Sequence, residues 1–285
     1  MREAGRTRPD PRALESVLRA VDFVEERLGD PVGVEDMARA AFYSPFYFSR
    51  LFAQAVGHSP YDYLMRRRVA AAAEEVVGGD RNLTALALDY GFEAPDSFSR
   101  AFRRCFGMLP SEARKAGTYP RRIARTRIDP GYAADMLESP PGPPERVETG
   151  DLVLSGGDPG LAPGPGVFEI VRRAEDLGAE HVFCGARHDR TAKVAGTVPE
   201  IPSYPGLSTL VPAGTFARFR LPRGAAGLRT AVEYAYRAWL PGVGNLAVPA
   251  YDLVEYGEGG PEALWVPAGR GDSQKLSNPA ASFSM

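Results

Sequence analysis

The residues with the clearest chemistry occur twice at one spacing. Ser49 and Arg50 recur fifty positions later as Ser99 and Arg100. A guanidinium presents a planar fork of donors that can bind a guanine edge or a phosphate, and the neighbouring hydroxyl can donate or accept a hydrogen bond. The sequence suggests no internal partner for either pair, so we expect both pairs to face outward.

The scaffold around each pair repeats as well. The repeated positions combine aromatic, small and helix-starting residues: Pro45, Phe48, Phe52, Gly57 and Pro60 recur as Pro95, Phe98, Phe102, Gly107 and Pro110. A repeat with fixed internal spacings is typical of one supersecondary unit used twice, because packing within the unit fixes those spacings.

Helical periodicity divides the first copy into two faces. Spacing of three and four residues predicts a core face made of Phe48, Leu51, Phe52 and Ala55. The same spacing predicts an outward face that contains Phe46, Ser49 and Arg50. An aromatic ring, a hydroxyl and a guanidinium then point away from the core.

Short helices must position this outward face. Apolar periodicity predicts an amphipathic helix over 13–28 and a second helix over 34–41. Ser44 is suited to cap a third helix, with Pro45 at its first position, and that helix runs to about Val56. A short helix, a tight turn and a helix with a polar outward stripe describe a helix-turn-helix that can enter a DNA major groove.

The second copy predicts a second such unit with a different outward face. Leu83, Leu86 and Ala87 mark the helix before its turn. The next helix has Phe98, Ala101, Phe102 and Cys105 inward and Asp96, Ser99, Arg100 and Arg103 outward. Asp96 can accept a hydrogen bond from a cytosine amino group or cap the helix, and we favour the cap. The two faces differ, so the repeat predicts an asymmetric DNA site.

A long helix is predicted between the copies, from Pro60 to about Val77, closed by Gly78 and Gly79. Its length of roughly 25 Å can hold two recognition helices about one duplex turn apart. Several basic residues are candidates for phosphate contacts, namely Arg66, Arg67, Arg68, Arg104, Arg114, Lys115, Arg121 and Arg122.

The charge distribution favours the same type of partner. The net charge of −2 divides into +4 for residues 1–127 and −6 for the remainder, and a basic half favours a polyanion. No apolar run is long enough for a membrane span or a signal peptide, so we expect a cytosolic protein without a membrane partner. Two separated cysteines and three histidines predict reduced thiols and no metal site, and we expect no cofactor.

Residues 17–114 resemble the DNA-binding domain of AraC/XylS-type transcriptional regulators, most densely over 90–111. The resemblance implies double-stranded DNA as a partner, RNA polymerase as a second partner, and base or phosphate contacts from both outward faces. These contacts fall on Phe46, Ser49, Arg50, Asp96, Ser99, Arg100 and Arg103. Phe46 offers apolar contact to a thymine methyl group. Pro95 and Asp96 depart from the polar donors often found there, so the target sequence stays open.

The composition changes after Arg127. We expect a DNA-binding domain over 10–127, a Pro-rich linker over 128–145, an α+β domain over 146–270 and a disordered tail over 271–285. The α+β domain is predicted to contain strand-helix-strand-strand twice, forming an antiparallel sheet backed by helices on one face. The predicted strands are 147–154, 181–187, 192–198, 207–221, 248–256 and 263–267, and the predicted helices are 167–177 and 228–240.

The second half resembles the GyrI-like effector-binding domains in residues 210–219, 239–241, 248–256 and 264–267. The resemblance implies a cleft for a cationic or amphipathic small molecule, with aromatic walls and a buried carboxylate. The candidate rings are Phe216, Tyr234, Trp239, Tyr251 and Trp265, each of which can equally be a core residue. Asp252 is the candidate carboxylate, and strand alternation predicts Glu255 on the opposite face.

The sequence as a whole predicts an all-α N-terminal domain followed by an α+β domain. Its most consistent function is that of a DNA-binding transcriptional regulator that senses a small molecule. We find no nucleophile–base order, phosphate-binding loop or dinucleotide motif and predict that the protein is not an enzyme. The alternatives are a small-molecule hydrolase and a drug-sequestering protein that use the second domain.

Overall fold

A computed structural model of the chain describes residues 11–157, 165–188, 208–242 and 251–268. The chain divides into two compact units. The helical unit contains Met1–Pro140 and Glu233–Leu246, and the sheet unit contains Pro141–Val232 and Ala247–Met285. The strand predicted over 192–198 and the tail predicted over 271–285 lie outside the described residues.

Eight α-helices lie between residues 11 and 140 of the helical unit. They are α1 (Pro11–Glu25), α2 (Val34–Ala40), α3 (Pro45–Val56), α4 (Pro60–Gly78), α5 (Leu83–Asp89), α6 (Pro95–Phe106), α7 (Pro110–Ala116) and α8 (Pro130–Glu138). The two predicted helix-turn-helix units are α2–α3 and α5–α6, and the predicted long helix is α4. In the described ranges, no helix combines the length and apolar character needed to cross a bilayer.

The repeated phenylalanines form equivalent cores in the two copies. Phe48 and Phe52 are buried in the first copy, and the Phe52 ring meets Tyr63 of α4 edge-on at 5.4 Å. Phe98 and Phe102 are buried in the second copy, with ring centroids 5.8 Å apart. The predicted inward phenylalanines are therefore confirmed.

Helix α8 lies inside the segment predicted as a linker. Asp129 caps it by accepting a hydrogen bond from the Tyr132 N–H, and Pro130 occupies the first turn. Tyr132, Ala133 and Met136 are buried in the core of the helical unit. Residues 130–138 therefore belong to a packed core, because a cap and an apolar face outweigh the Pro-rich neighbourhood that suggested a linker.

The sheet unit contains one antiparallel sheet of eight strands among the described residues. The strands are β1 (Glu145–Thr149), β2 (Leu152–Gly157), β3 (Val167–Arg173), β4 (Ala179–His188), β5 (Ser208–Val211), β6 (Gly214–Arg220), β7 (Asp252–Gly257) and β8 (Gly260–Pro267). Their order is β1-β6-β8-β7-β3-β4-β2-β5. If β1, β2, β3 and β4 are exchanged with β5, β6, β7 and β8, respectively, the same order results, read from the other edge of the sheet.

The helix predicted over 167–177 is wrong, because residues 167–173 form strand β3. This strand is hydrogen-bonded to β4 on one side and β7 on the other. An apolar run such as Val-Phe-Glu-Ile-Val is compatible with a helix or a buried strand by spacing alone. Hydrogen bonding to a neighbouring strand on both sides favours the strand, and the β-branched residues of this segment also favour it.

Among the described residues, helix α9 (Ala225–Tyr234) begins in the sheet unit and its continuation belongs to the helical unit. Helix α9 continues as a π-helical turn (Ala235–Trp239) and a last short turn α10 (Leu240–Gly242). Residues 225–232 belong to the sheet unit, whereas residues from Glu233 onward belong to the helical unit. The predicted helix over 228–240 is thus confirmed with slightly wider bounds.

Candidate functional site

The first outward stripe lies on a well-capped helix. The Ser44 hydroxyl accepts a hydrogen bond from the Tyr47 N–H at 3.4 Å, and Gly57 ends α3 in the left-handed conformation at φ 78°. Both predicted features, the Ser44 cap and Pro45 in the first turn, are confirmed. The Phe46 side chain is 75% exposed and Arg50 is exposed.

Ser49 is less available than its neighbours on the stripe. It is only partly exposed, and its hydroxyl donates to the Pro45 carbonyl oxygen at 2.8 Å. A serine bonded back to residue i−4 has used its proton, so it meets a partner as an acceptor unless it rotates. The first stripe therefore offers an apolar ring and one guanidinium as its main contacts.

The second stripe carries more charge. Asp96, Arg100 and Arg103 are exposed on α6, while Ser99 is partly exposed. Arg100 donates to the Ser97 hydroxyl at 3.2 Å. Among the described residues, neither Arg103 nor Arg50 of the first stripe makes an ion pair, which leaves both guanidiniums available for an anion.

The capping role favoured for Asp96 is wrong. The cap position of α6 is Ala94, which makes no side-chain cap hydrogen bond, and Asp96 lies within the first turn. Pro95 occupies the helix start and places the cap one residue before itself. An acid in the first turn still interacts favourably with the helix dipole.

The three arginines of α4 do not face outward as phosphate contacts require. Arg66 and Arg68 are buried, and Arg67 binds Glu25 through both carboxylate oxygens at 2.7 Å. Arg68 donates to the carbonyl oxygens of Leu28, Asp30 and Gly91. Helix α4 packs against both copies, so its basic side chains satisfy internal acceptors. The phosphate role predicted for these three residues is therefore wrong.

Other predicted phosphate contacts are also engaged within the unit. Arg121 pairs with Glu74 at 2.9 Å, and Arg114 donates to the Val76 carbonyl oxygen at 3.0 Å. Arg104 pairs with the buried carboxylate of Asp62, although most of its own side chain is exposed. Lys115 is exposed.

Asp62 joins the start of α4 to both copies. It accepts from Arg66 at 2.6 Å and from Arg104, and its Oδ2 lies 3.2 Å from His58 Nδ1. Burial alone would raise the pKa of Asp62, but hydrogen bonds from His58 and Arg66 hold that pKa below its usual range. Burial also lowers the pKa of His58 from 6.5 to about 4, against the opposing hydrogen bond to Asp62.

The sheet unit brings three of the predicted ligand residues together on one face. Trp265 Nε1 donates to Glu255 Oε2 at 2.9 Å, and the Phe216 and Trp265 rings meet at 6.0 Å. Phe168 contacts the same indole edge-on at 5.6 Å. Tyr251 is partly buried and packs against this apolar cluster. This face, with Phe168, Phe216, Glu255 and Trp265, is termed the aromatic face below.

Asp252 lies on the opposite face of β7, as alternation from Glu255 predicts. Its carboxylate is fully buried and accepts from Arg173 Nε at 2.6 Å. The predicted buried carboxylate therefore has an internal cation as its partner. Tyr234 and Trp239 lie elsewhere, since both belong to the helical unit and Tyr234 packs against its core.

Arg218 is a central residue of the aromatic face that the sequence interpretation missed. Its guanidinium binds Glu255 at 2.8 Å and lies 5.8 Å from the centre of a Trp265 ring. Glu145 and Glu262 each lie 3.6 Å from the same guanidinium. Strand alternation from Phe216 places Arg218 on the same face, and this signal could have identified it.

The cluster around Arg218 has an excess of negative charge. Three carboxylates, from Glu145, Glu255 and Glu262, surround one guanidinium, which gives the four groups a net charge of −2. Trp265 closes one side of the cluster with its ring. An acidic cluster beside aromatic rings attracts cations through charge and ring quadrupole together.

Comparisons with known proteins concern the helical unit. A family model described as a helix-turn-helix domain matches residues 37–116. YbfP, an uncharacterized HTH-type transcriptional regulator of Bacillus subtilis (strain 168), is 31% identical over 99 residues, which are 35% of this chain and 34% of that protein. Regulatory protein SoxS of Escherichia coli (strain K12) is 31% identical over 94 residues, 33% of this chain and 88% of that protein.

One similar solved structure contains nucleic acid. The DNA-binding domain of AdpA, a global transcriptional factor crystallised with a target DNA, is 29% identical, with a TM-score of 0.34. The matched region is 35% of this chain and 91% of the AdpA chain. The chain thus spans about a third of the length of YbfP and most of SoxS. These relatives are named as regulators and not as enzymes, in agreement with the sequence prediction.

Proposed function

Because the chain belongs to the AraC family of transcriptional regulators, we propose that it binds double-stranded DNA in a sequence-specific way. Helices α3 and α6 are the recognition helices and enter two successive major grooves. The observation that carries this proposal is the exposure of Phe46, Arg50, Arg100 and Arg103 on two equally long helices. The contact residues remain those predicted, with Ser49, Asp96 and Ser99 as secondary contributors.

The two stripes support recognition of an asymmetric site. The first stripe presents Phe46, which suits a thymine methyl group, and Arg50, which suits a guanine edge or a phosphate. The second stripe presents Arg100, Arg103 and Asp96, so its contacts are mainly polar. A monomer with two different recognition helices can read a site that lacks two-fold symmetry.

Salt-dependent DNA binding tests this function. DNA selected from a random library by the full chain should lose about 10³-fold in affinity between 50 and 200 mM salt if about six phosphates are contacted. Arg50→Ala and Arg100→Ala should each weaken binding about 10- to 100-fold. Arg172→Ala removes an exposed arginine that pairs with Glu180 in the sheet unit, and it serves as the charge-matched control. Unchanged binding in both stripe variants would refute the assignment.

We further propose that the sheet unit binds a small cationic molecule with an aromatic or apolar body. The three carboxylates around Arg218 supply the negative charge, and the buried rings of Phe168, Phe216 and Trp265 form the apolar wall beside them. The bound cation would compete with Arg218 for Glu255. The strand order, which is reversed when β1–β4 and β5–β8 are exchanged, supports an effector domain built from two related halves.

Two ions of equal size and opposite charge test whether binding depends on the charge of the ligand or only on its shape. Tetraphenylphosphonium should bind in calorimetric titration, whereas tetraphenylborate of equal size should not. Glu255→Gln should weaken tetraphenylphosphonium binding about 10-fold, since one of the three carboxylates is lost. Glu148→Gln removes an exposed carboxylate on β1 that pairs with Arg146, and it is the matched control. Equal binding of both ions would argue against a cationic effector.

Binding of the effector must favour one DNA-binding state over another, since a ligand shifts an equilibrium only by its differential affinity. We propose that the helical unit, including α8 and residues 233–242, is the DNA-binding domain and that the sheet unit is the effector domain. RNA polymerase is the proposed protein partner, in the cytosol. Transcription in vitro from the selected site, with and without tetraphenylphosphonium, measures both the action on RNA polymerase and the response to the effector.

A further inference from the structure

A segment distant in sequence completes the surface at the end of the first recognition helix. Residues 233–242 follow the sheet-unit part of α9, yet they pack as part of the helical unit. Their backbone contains the π-helical turn Ala235–Trp239, a rare conformation that often marks functional positions. This stretch is termed the docking segment below.

The docking segment packs on the glycine that ends α3. Gly57 has φ 78°, and a side-chain carbon placed on it would lie 3.2 Å from the Tyr234 ring and from Ala238 Cβ. Such contacts are tighter than ordinary van der Waals packing, so the neighbouring side chains would have to shift by a few tenths of an ångström. The close approach therefore depends on the absence of a side chain at Gly57.

Polar contacts hold the docking segment to the residues that follow α3. The imidazole of His58 is buried, and its Nε2 lies 2.8 Å from the Arg237 carbonyl oxygen. The Arg237 guanidinium donates to Thr126 Oγ1 at 2.7 Å. These bonds fix both the backbone and the side chain of Arg237.

An arginine links the docking segment to the last turn of α3. Arg125 is 1% exposed and donates to the carbonyl oxygen of Val56, the last residue of α3, at 3.3 Å. Glu233 Oε1 lies 3.5 Å from the same guanidinium. A carboxylate of the docking segment thus neutralises the cation that caps the carbonyl end of the recognition helix.

The second copy ends differently. Gly107 terminates α6 with φ 75°, nearly the same conformation as Gly57, but Gly107 is exposed whereas Gly57 is partly buried. The position of His58 is occupied by Met108. The two recognition helices therefore share a backbone terminus and differ in what covers it.

We propose that the docking segment positions the first recognition helix, with Glu233 and Arg237 as positioning residues. Reading of the half-site under α3 then depends on residues from the C-terminal part of the chain, and reading under α6 does not. This inference rests on the proposed function for its DNA readout. A conformational change along α9 would therefore affect reading of the α3 half-site directly.

The test compares discrimination at each half-site. The full chain is measured on its selected DNA and on versions with the first or the second half-site scrambled. Glu233→Gln and Arg237→Gln should each reduce discrimination at the α3 half-site about 10-fold and leave the α6 half-site within about two-fold. Glu180→Gln, on the sheet-unit surface, is the control. Equal losses at both half-sites, or none at either, would overturn the proposal.

The two helix-ending glycines give a matched pair. Gly57→Ala and Gly107→Ala impose the same left-handed strain, and the first also places a side-chain carbon 3.2 Å from the docking segment. Gly57→Ala should therefore lose more discrimination at its own half-site than Gly107→Ala loses at its own. If Gly57→Ala does not fold, the two glutamine variants decide the outcome alone.

Hydrogen exchange separates this inference from DNA binding. In Glu233→Gln, amides of residues 45–56 should lose protection while those of residues 95–106 keep it. That pattern would support positioning even if the wild-type chain selected no DNA, which would refute only the proposed function. Unchanged protection of residues 45–56, or equal loss in both helices, would refute positioning itself.

Discussion

The two helix-turn-helix units share their helix lengths and buried phenylalanines. They differ in their outward residues, in their N-terminal caps and in what packs on the C-terminal end of the recognition helix. Helices α3 and α6 both span twelve residues and end on a left-handed glycine. The first has a serine cap, one outward guanidinium and a docking segment over its end, whereas the second has no side-chain cap and several outward charges. The buried phenylalanines that pack within each unit are the same in both copies, whereas several of the exposed residues differ between them.

The largest expected effect tests the shared skeleton. Phe48 and Phe98 occupy equivalent buried positions, so Phe48→Ala and Phe98→Ala should each cost about 3–5 kcal/mol of unfolding free energy. Urea titration followed by circular dichroism measures both values. If one substitution costs less than half as much as the other, the cores are not equivalent.

The next effect distinguishes internal arginines from outward ones. Arg68→Met removes the guanidinium that donates to the carbonyl oxygens of Leu28, Asp30 and Gly91, of which Asp30 keeps a hydrogen bond from the Val32 N–H, and this should cost about 2–4 kcal/mol of stability. It should leave the salt dependence of DNA binding unchanged. Arg100→Ala should show the reverse, with unchanged stability and weaker binding. Equal stability of wild type and Arg68→Met would contradict the internal role.

A pH effect is expected from the first copy alone, because His58 has Met108 as its counterpart. The pKa of His58 is lowered to about 4 by burial, so the unfolded chain binds its proton first as the pH falls below 6.5. His58 therefore stabilises the fold above pH 6.5, and this contribution should fall by about 2 kcal/mol at pH 5.

Comparison with His58→Gln isolates this contribution from other groups that titrate. Asp62, Arg66 and Arg125 are the charged groups that act on His58. The stability difference between wild type and His58→Gln should shrink as the pH falls from 7 to 5. A difference that does not change over this range would show that His58 is not held neutral by burial.

The smallest effect concerns the caps. Ser44→Ala removes the side-chain cap of α3 and should cost about 1 kcal/mol. Ala94→Ser introduces a hydroxyl where α6 has an extended cap residue without one, and it should gain about 1 kcal/mol. Thermal unfolding of the two variants measures both signs. A loss of stability in Ala94→Ser would show that the cap positions differ in geometry as well as in residue type.

Local signals predicted the helical unit well. The Ser44 cap, the Pro45 helix start and the inward phenylalanines all follow from interactions within a few residues. The surface residues Phe46, Arg50, Arg100 and Arg103 followed from the same periodicity, because a helix with a known inward face has a known outward face. Assigning them to DNA contact remains a prediction.

Long-range packing defeated the same type of reasoning elsewhere. Arg67 and Arg68 look like part of a surface basic run, yet their partners Glu25, Leu28, Asp30 and Gly91 are distant in sequence. Strand β3 was predicted as a helix because its apolar spacing suits both structures. Arg218 was missed because its partners come from three other strands or their ends.

The sequence by itself determined where α3 begins and ends and which way both recognition helices face, since those features depend on caps, glycine conformation and 3.6-residue periodicity. Tertiary structure decided which charges are internal, which strands pair, and that residues 233–242 pack at the end of α3. The physical reason is that burial and ion pairing depend on neighbours far along the chain. Gly57 and Gly107 look equivalent in sequence, and only packing makes them different.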